Sequence, residues 1–178
     1  TVTFELLGRE FQAISAGPYF KFNPSVSLHV TCTTAGEVDR LWARLAEGGA
    51  VLMELGTYPF SERYGWLQDR YGLSWQLSYP GGSGVSPKIR PFIMFVGSVC
   101  GRAEEAIRFW TSVFPGSHVG AIQHHGEGEG PDRPGTVRYA EFSLLGQDFA
   151  AIDSAYEHQF AFNEAISFMV LCETQAEI

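Results

Sequence analysis

Two stretches of this chain carry the same sequence pattern, separated by about 140 residues, which is the size of a domain. The first copy reads Phe4-Glu5-Leu6-Leu7-Gly8 and Phe11-Gln12-Ala13-Ile14, and the second reads Phe142-Ser143-Leu144-Leu145-Gly146 and Phe149-Ala150-Ala151-Ile152. Further identical residues at positions 20, 22, 23, 27, 30, 32, 34 and 37 recur at positions 160, 162, 163, 167, 170, 172, 174 and 177. A repeat of this length indicates a duplicated module and not a solenoid of short repeats.

The composition limits the classes of partner. Hydrophobic residues make up 45% and aromatic residues 14% of the 178 residues, which is enough for a packed core. A net charge of -8 argues against nucleic acid or an anionic membrane as a partner, because both require a basic surface. The chain has an odd number of cysteines, Cys32, Cys100 and Cys172, which indicates reduced thiols and a cytoplasmic protein.

The residue patterns predict alternating strands and single helices. We predict strands at 1–7, 10–15, 26–32, 50–54, 65–69 and 73–78, then at 89–96, 118–124, 137–145, 148–153 and 166–172. The first helix begins at Thr34, where Glu37 completes a capping box, and the second spans 102–114. A third helix starts at Thr174 and reaches the last residue after one turn, so we expect further polypeptide beyond Ile178.

One segment, rich in glycine, proline and serine, reads as a linker. It divides the chain into residues 1–80, the linker 81–88 and residues 89–178. Overlaying the two copies gives units of strand, helix and three strands. This order predicts an α+β fold of paired βαβββ units that form curved antiparallel sheets.

Several motifs resemble one family. Pro91-Phe92-Ile93-Met94-Phe95, Phe162-Asn163-Glu164-Ala165-Ile166-Ser167-Phe168 and the stretch 65–76 are similar to the PhnB-like family, also called 3-demethylubiquinone-9 3-methyltransferase-like. That family belongs to the glyoxalase/bleomycin resistance/dioxygenase (vicinal oxygen chelate) superfamily. The resemblance covers nearly the whole chain and implies that residues 1–80 are the C-terminal part of one module and 89–178 the N-terminal part of the next. It also implies an open cup, which in metal-using relatives holds a divalent ion.

The positions that would carry metal ligands do not match this pattern. Pro91 has no ligand atom, and the hydroxyls of Ser27 and Ser167 are poor ligands for a transition metal. Gln76 stands where metal-using relatives usually have a Glu. Asp153 has a ligand atom at the end of its strand, but its repeat counterpart is Ser15. We therefore expect neither a metal site nor another cofactor. The sequence also lacks the strand–glycine-loop–helix unit that would hold S-adenosylmethionine, which argues against methyl transfer.

The same resemblance implies a ligand pocket with aromatic walls. Its candidate ligand-binding residues are Trp66, Asp69, Trp75, Gln76, Ser27, Phe92 and Met94. No catalytic residue can be assigned.

Three functions fit these observations. The first is a metal-free protein that binds a small molecule. The second is a metal-dependent isomerase, lyase or dioxygenase whose ligands come from other segments or a partner subunit. The third is a largely structural repeat. We also expect a homodimer, because partial modules leave unpaired sheet edges.

Overall fold

The computed structural model describes residues 1–128 and 130–175. The strands in this part of the chain are β1 (Val2–Leu6), β2 (Arg9–Ala13), β3 (Val26–Thr31), β4 (Ala50–Tyr58), β5 (Ser61–Gln68), β6 (Ser74–Tyr79), β7 (Lys88–Phe95), β8 (His118–His124), β9 (Val137–Leu144) and β10 (Gln147–Asp153). The helices are α1 (Ala35–Leu45) and α2 (Ala103–Val113). No helix in the described residues is long and apolar enough to cross a membrane.

Eight of the strands form one sheet, in the order β4-β5-β6-β3-β7-β10-β9-β8. It contains two units of the same topology, β3-α1-β4-β5-β6 and β7-α2-β8-β9-β10, which meet where β3 pairs antiparallel with β7. This arrangement confirms the predicted α+β fold of paired βαβββ units. The sheet is mixed and not purely antiparallel, because the last strand of each unit lies parallel to its first strand.

Strands from both sides of the predicted linker therefore join a single sheet. The module boundaries at 80 and 89 stay a prediction.

The two helices cover one face of this sheet and bury an apolar cluster each. Helix α1 begins as expected, with the hydroxyl of Thr34 accepting a hydrogen bond from the backbone N–H of Glu37. Its Trp42 packs against a cluster that includes Leu28, Val38 and Leu77. Helix α2 packs on the second unit through Ala103, Ile107 and Trp110.

Gly65 on β5 allows α1 to lie close to the sheet. A Cβ atom at this position would be 2.4 Å from the ring of Trp42, a separation at which atoms overlap. The absence of a side chain is therefore a packing requirement here.

The hairpin β1–β2 has the same local structure as its repeat counterpart β9–β10. Phe4 pairs with Phe11 and Phe142 with Phe149, and both aromatic pairs are stacked, with centroids 5.6 and 5.2 Å apart. Both turns use a Leu-Gly pair with positive φ, 48° and 74° in the first hairpin and 49° and 76° in the second. β1 and β2, however, form a separate two-stranded sheet.

The loop before β3 and the loop before its repeat counterpart, residues 166–172, are joined by reciprocal hydrogen bonds. The side-chain amide of Asn23 donates to the carbonyl of Ala161, and that of Asn163 donates to the carbonyl of Lys21, both at 2.9 Å. In each loop the Asn side-chain oxygen also accepts the backbone N–H two residues later. We call this pair of loops the Asn clasp. The positions are repeat counterparts, so the clasp relates the two copies by approximate two-fold symmetry.

The strand predicted at 166–172 is not formed, and this expectation was wrong. Its repeat counterpart β3 lies between β6 and β7 and hydrogen-bonds to both. In the described part of the chain no strand pairs with 166–172, and an isolated strand has no hydrogen-bond partner to stabilise it. The helix predicted from Thr174 extends into 176–178, which lie outside the described residues.

Candidate functional site

The face of the eight-stranded sheet opposite the helices, which we call the open face, carries two rows of mostly polar side chains. Side chains alternate between the faces of a strand, so the apolar residues packed on the helices leave the intervening positions for this face. In the first row the strand registers align Trp66, Gln76, His29 and Arg90, and they align Asp148, Ser143 and His118, which border the same depression as Arg90 or pair with residues that do. They align a second row of Gln68, Ser74, Ser27, Phe92, Ala150 and Glu141.

In the first βαβββ unit, hydrogen bonds between side chains satisfy the buried polar groups of these rows. The hydroxyls of Ser27 and Ser74 are 2.9 Å apart, and the indole N–H of Trp66 donates to Ser74 at 2.8 Å. The hydroxyl of Tyr64 donates to the side-chain oxygen of Gln76 at 2.9 Å, and burial raises the pKa of Tyr64. This half of the face is therefore closed by its own side chains.

Where the two units meet, the guanidinium of Arg90 organises a polar cluster. Arg90 is only 5% exposed, and it donates to the carboxylate of Glu141 and to the hydroxyl of Tyr139, both at 2.7 Å. Tyr139 in turn donates to Glu141 at 2.8 Å. Burial raises the pKa of Glu141, but hydrogen bonds from Arg90 and Tyr139 outweigh it and lower the pKa overall. Burial raises the pKa of Tyr139, which stays a neutral hydroxyl.

The same contacts fix the protonation state of His29. Arg90 can only donate, so its Nε–H, 3.3 Å from Nδ1 of His29, requires a lone pair on that nitrogen. The proton therefore resides on Nε2, which lies 2.8 Å from the hydroxyl of Ser78. Burial, followed by the charges of Arg90 and Lys88, lowers the pKa of His29 from 6.5 to about 3. The buried imidazole is neutral throughout the physiological pH range.

This lowered pKa predicts a specific dependence of stability on pH. Between pH 6.5 and about 3 the unfolded chain binds a proton at His29 that the folded chain does not, so the folded state loses stability as the pH falls through this window. The free energy of unfolding should change with pH more steeply in the original chain than in a His29→Gln variant, by about 1.4 kcal/mol per pH unit near pH 5. Gln can accept from Arg90 and donate to Ser78 without titrating. Urea unfolding at pH 4.5, 5.5 and 7.5 measures the difference, and equal slopes would contradict the neutral, buried His29.

A depression of about 100 Å³ opens beside this cluster. It is lined by Lys88, Arg90, His118, Gly120, Glu141, Phe142, Asp148 and Phe149. Of the five N–H groups of Arg90, three reach acceptors among the described residues. Lys88 forms no ion pair within residues 1–128 and 130–175, so its ammonium is available to a ligand.

The structure places the residues that the sequence suggested for ligand binding at different locations. Trp66, Gln76, Ser27, Phe92 and Met94 lie on strands of the eight-stranded sheet, and the first four belong to the two rows. Met94 occupies the next position of the same alternation on β7 and is 3% exposed. Apart from the partly exposed Trp66, these side chains are buried.

Trp75 and Asp69 lie elsewhere and act together in the local structure. Trp75 packs against the apolar cluster beneath α1, on the opposite face of the sheet. Its indole N–H donates to Asp69 at 2.9 Å, and the other carboxylate oxygen accepts the backbone N–H groups of Tyr71 and Leu73. Both side chains are therefore used in local structure, and their role in ligand binding stays a prediction. Trp75 lies between Ser74 and Gln76 on β6. Because these two side chains are on the open face, the side chain of Trp75 points to the face that carries the helices.

Sequence reasoning missed the residues around Arg90. The available signal was an arginine in the middle of an apolar strand, at a position that alternates with Phe92 and Met94. A buried arginine requires acidic or other acceptor partners. Its partners come from β3 and β9, and their sequence positions do not reveal that contact.

The residues at the superfamily's metal positions do not fit a divalent ion. Ser27 and Gln76 are engaged in the hydrogen bonds described above, and Asp153 accepts three backbone N–H groups. Both ring nitrogens of His29 are also occupied. Within the described ranges, no three His, Cys, Asp or Glu side chains are grouped to hold a metal ion.

The adjacent histidines His124, at the end of β8, and His125, in the loop that follows, contact different partners. His124 contacts Glu104 of α2 at 2.6 Å, whereas His125 lies 3.8 Å from Asp132. They therefore do not form one site, as expected for adjacent residues at the end of a strand. Glu129 of this loop lies outside the described residues.

Comparison with known proteins gives one family match. The model of the family described as 3-demethylubiquinone-9 3-methyltransferase matches residues 1–78 and 87–178. Of the unmatched residues 79–86, all but the first two lie within the predicted linker 81–88. A comparison with curated proteins finds no match.

Solved structures provide partial similarities. A Bacillus cereus protein described as a putative 3-demethylubiquinone-9 3-methyltransferase, PhnB protein, is 51% identical over 43% of this chain and 61% of its own, with a TM-score of 0.42. Protein PA1353 from Pseudomonas aeruginosa is 33% identical over 36% of this chain and 47% of its own, with a TM-score of 0.34. A glyoxalase I mutant from Zea mays is 13% identical over 71% of this chain and 42% of its own, with a TM-score of 0.41. The chain thus spans less than two thirds of the length of each of these proteins.

Proposed function

Since the chain belongs to the 3-demethylubiquinone-9 3-methyltransferase (PhnB-like) family, whose model matches nearly its whole length, we propose that it binds a small organic molecule on the open face without a metal centre. The observation that carries the proposal is the depression beside Lys88 and Arg90. Its lining holds the carboxylates of Glu141 and Asp148 as well as Arg90 and Lys88, and the ammonium of Lys88, which forms no ion pair in the described residues, favours a ligand with an acidic group.

Of the charged groups around the depression, Lys88 and Asp148 form no ion pair among the described residues, and we assign the acidic group of the ligand to Lys88. Glu141 neutralises Arg90 through a 2.7 Å ion pair, which leaves the positive charge of Lys88 without a paired carboxylate in the described structure. His118 also lines the depression, and its Nδ1 is 2.8 Å from the hydroxyl of Ser143. An acidic group between Lys88 and His118 would gain charge-assisted hydrogen bonds. The buried side chains of Ser27, Gln76, Phe92 and Met94 would support this site, and the partly exposed Trp66 would extend it.

The proposal does not include methyl transfer. Helix α2 follows β7 through a short glycine-containing turn, which is the kind of helix start that binds the phosphates of a cofactor. Here the carboxylate of Asp153 already accepts the N–H groups of Gly101 and Ala103. The position that an external anion would take is therefore filled by the chain itself.

Two aromatic acids, benzoate and phenyl phosphate, are suitable probes, with benzamide and benzyl alcohol as neutral counterparts. By titration calorimetry we expect dissociation constants of the acids of about 1 mM or below, and binding of the neutral compounds to be at least about tenfold weaker. Lys88→Met should weaken the acids about tenfold, and Lys21→Met, in the Asn clasp, should leave them unchanged. Equal affinity for acids and neutral compounds, or no effect of Lys88→Met, would contradict the proposal.

The absence of a metal requirement is tested on the same protein. Binding should be unchanged after exhaustive chelation, because the proposed contacts are to Lys88 and Arg90. A divalent metal bound tightly at one ion per chain in native mass spectrometry would instead favour a metal-dependent enzyme.

We also propose that the chain is a cytoplasmic homodimer. Strands β4 and β8 are the two edges of the eight-stranded sheet and have no outer neighbour among the described residues, although register shifts interrupt both of them. Bulged edges resist open-ended pairing but are compatible with a closed two-fold contact. Light scattering coupled to size-exclusion chromatography should give twice the chain mass of 19.7 kDa. A monodisperse monomer at micromolar concentration would contradict this prediction.

A further inference from the structure

The hairpin β1–β2 exposes residues whose repeat counterparts are buried. Phe4 is 42% exposed whereas Phe142 is 3% exposed, and Val2 is 65% exposed whereas Ala140 is fully buried. The two hairpins have the same register and the same turn. Their difference in exposure therefore comes from what packs around them and not from their own structure.

The structure shows what covers the second hairpin. Strand β7 pairs with β10 along one edge, β8 pairs with β9 along the other, and α2 lies over the apolar face. The ring of Trp110 on α2 lies 5.9 Å from that of Phe142. In the described residues, β1 and β2 pair only with each other.

Residues 166–172 provide a second, independent observation. Their counterpart β3 pairs with β7, and its Leu28 and Val30 are 8% and 7% exposed. The equivalent residues Phe168 and Val170 are 50% and 45% exposed. Strands β10 and β3 flank β7 in the eight-stranded sheet. Their repeat counterparts, β2 and residues 166–172, have no strand in the position of β7 among the described residues.

We propose that the hairpin β1–β2 and residues 166–172 form a docking site for a strand–helix–strand polypeptide unit of the β7-α2-β8 kind. Its first strand would run parallel to β2 and antiparallel to residues 166–172, because β7 has these orientations relative to β10 and β3. One residue of that strand would lie beside both Gln12 and Ser167, as Phe92 lies beside Ala150 and Ser27. Its helix would cover Phe4 as α2 covers Phe142.

The chemistry of the site selects this occupant over a second copy of the chain. In each copy, β7 is already hydrogen-bonded on both edges, to β3 and to β10. A copy that docked through this unit would lose as many strand pairs as it gained. An additional unit of the same kind adds pairs without breaking any, and it buries the exposed aromatic residues.

The experiment adds such a unit to the intact chain. Residues 88–138 are joined directly before Thr1, which is the counterpart of Tyr139, so the added unit continues into β1 as β8 and its loop continue into β9. Hydrogen exchange of the amides in β1, β2 and 166–172 should become about 100-fold slower than in the original chain. The matched control carries Ile93→Asp in the added unit alone, because Ile93 is buried in its core, and should remain unprotected.

Three results would overturn the inference. The first is equal exchange in the extended chain and the original chain. The second is slow exchange in the original chain together with a dimeric mass, which would identify a second copy as the occupant. The third is a change confined to β3 and β10, which would show that the added unit replaces the existing one. Because ligand binding at Lys88 is measured separately, these results do not depend on the proposed function.

Discussion

We expect replacement of Asp153 by Ala to lower the free energy of unfolding by about 3 to 4 kcal/mol, because its carboxylate accepts three backbone N–H groups. One oxygen accepts from Gly101 at 2.6 Å and from Ala103 at 3.3 Å, and the other accepts from Val137 at 2.8 Å. Asp153 is 3% exposed, so water cannot replace the lost acceptor without rearrangement of the end of β10 and the start of α2.

Two variants distinguish this role from a general effect of charge. Asp153→Asn keeps one acceptor oxygen but turns an N–H₂ group toward the other donors, so we expect about half of the full loss. Asp148→Ala removes an exposed carboxylate from the same strand and should change stability by less than about 0.5 kcal/mol. Urea unfolding followed by tryptophan fluorescence measures all three. A loss below about 1 kcal/mol for Asp153→Ala would show that the N–H groups find other acceptors.

The second large effect concerns the Arg90–Glu141 pair, where we expect the two partners to differ. Glu141→Ala leaves the charge of Arg90, which is 5% exposed, without a carboxylate and should cost about 2 to 4 kcal/mol. Arg90→Met leaves Glu141, whose side chain is 41% exposed, free to be hydrated. This variant should cost only about 1 to 2 kcal/mol, mainly from the lost partner of His29.

The quantity to compare is the decrease in the free energy of unfolding in Glu141→Ala and in Arg90→Met. Denaturant unfolding of both variants at pH 7 gives it directly, and Glu141→Gln serves as the control that retains an acceptor for Arg90 without the charge. We expect this control to lie between wild type and Glu141→Ala. If Arg90→Met were more destabilising than Glu141→Ala, the cost of the isolated buried charge would not dominate the cluster, and our electrostatic description of it would be wrong.

Local sequence signals were sufficient for the features that depend on neighbouring residues. The strands predicted at 1–7 and 10–15 form the hairpin β1–β2, whose turn has positive φ values at Leu7 and Gly8. Thr34 and Glu37 predicted the start of α1, because a capping box is made within one helical turn. The internal repeat predicted the paired βαβββ units, since each unit is encoded by a continuous stretch of chain.

Local signals failed where a strand depends on distant partners. The pattern at 166–172 matches that of β3, yet of the two segments β3 alone is paired with neighbouring strands in the described part of the chain. Strands β4 and β5 are longer than the predicted 50–54 and 65–69, since their ends are paired across register shifts and stabilised by contacts among Tyr58, Phe60 and Tyr64. In each case the deciding contacts are not adjacent in sequence.

The sequence alone therefore determined the duplication, the order of strands and helices, and the family resemblance, because these are properties of continuous segments. Only the tertiary structure decided which residues form the candidate site. Arg90 contacts His29, which is 61 residues away in the sequence, and Glu141, which is 51 residues away, because β3, β7 and β9 place these side chains on the same face of the sheet. The tertiary structure also showed that Trp75 and Asp69 stabilise a turn and that the carboxylate of Asp153 accepts hydrogen bonds from N–H groups at the start of α2. Burial and hydrogen-bond geometry assign these roles, and residue type alone does not specify either one.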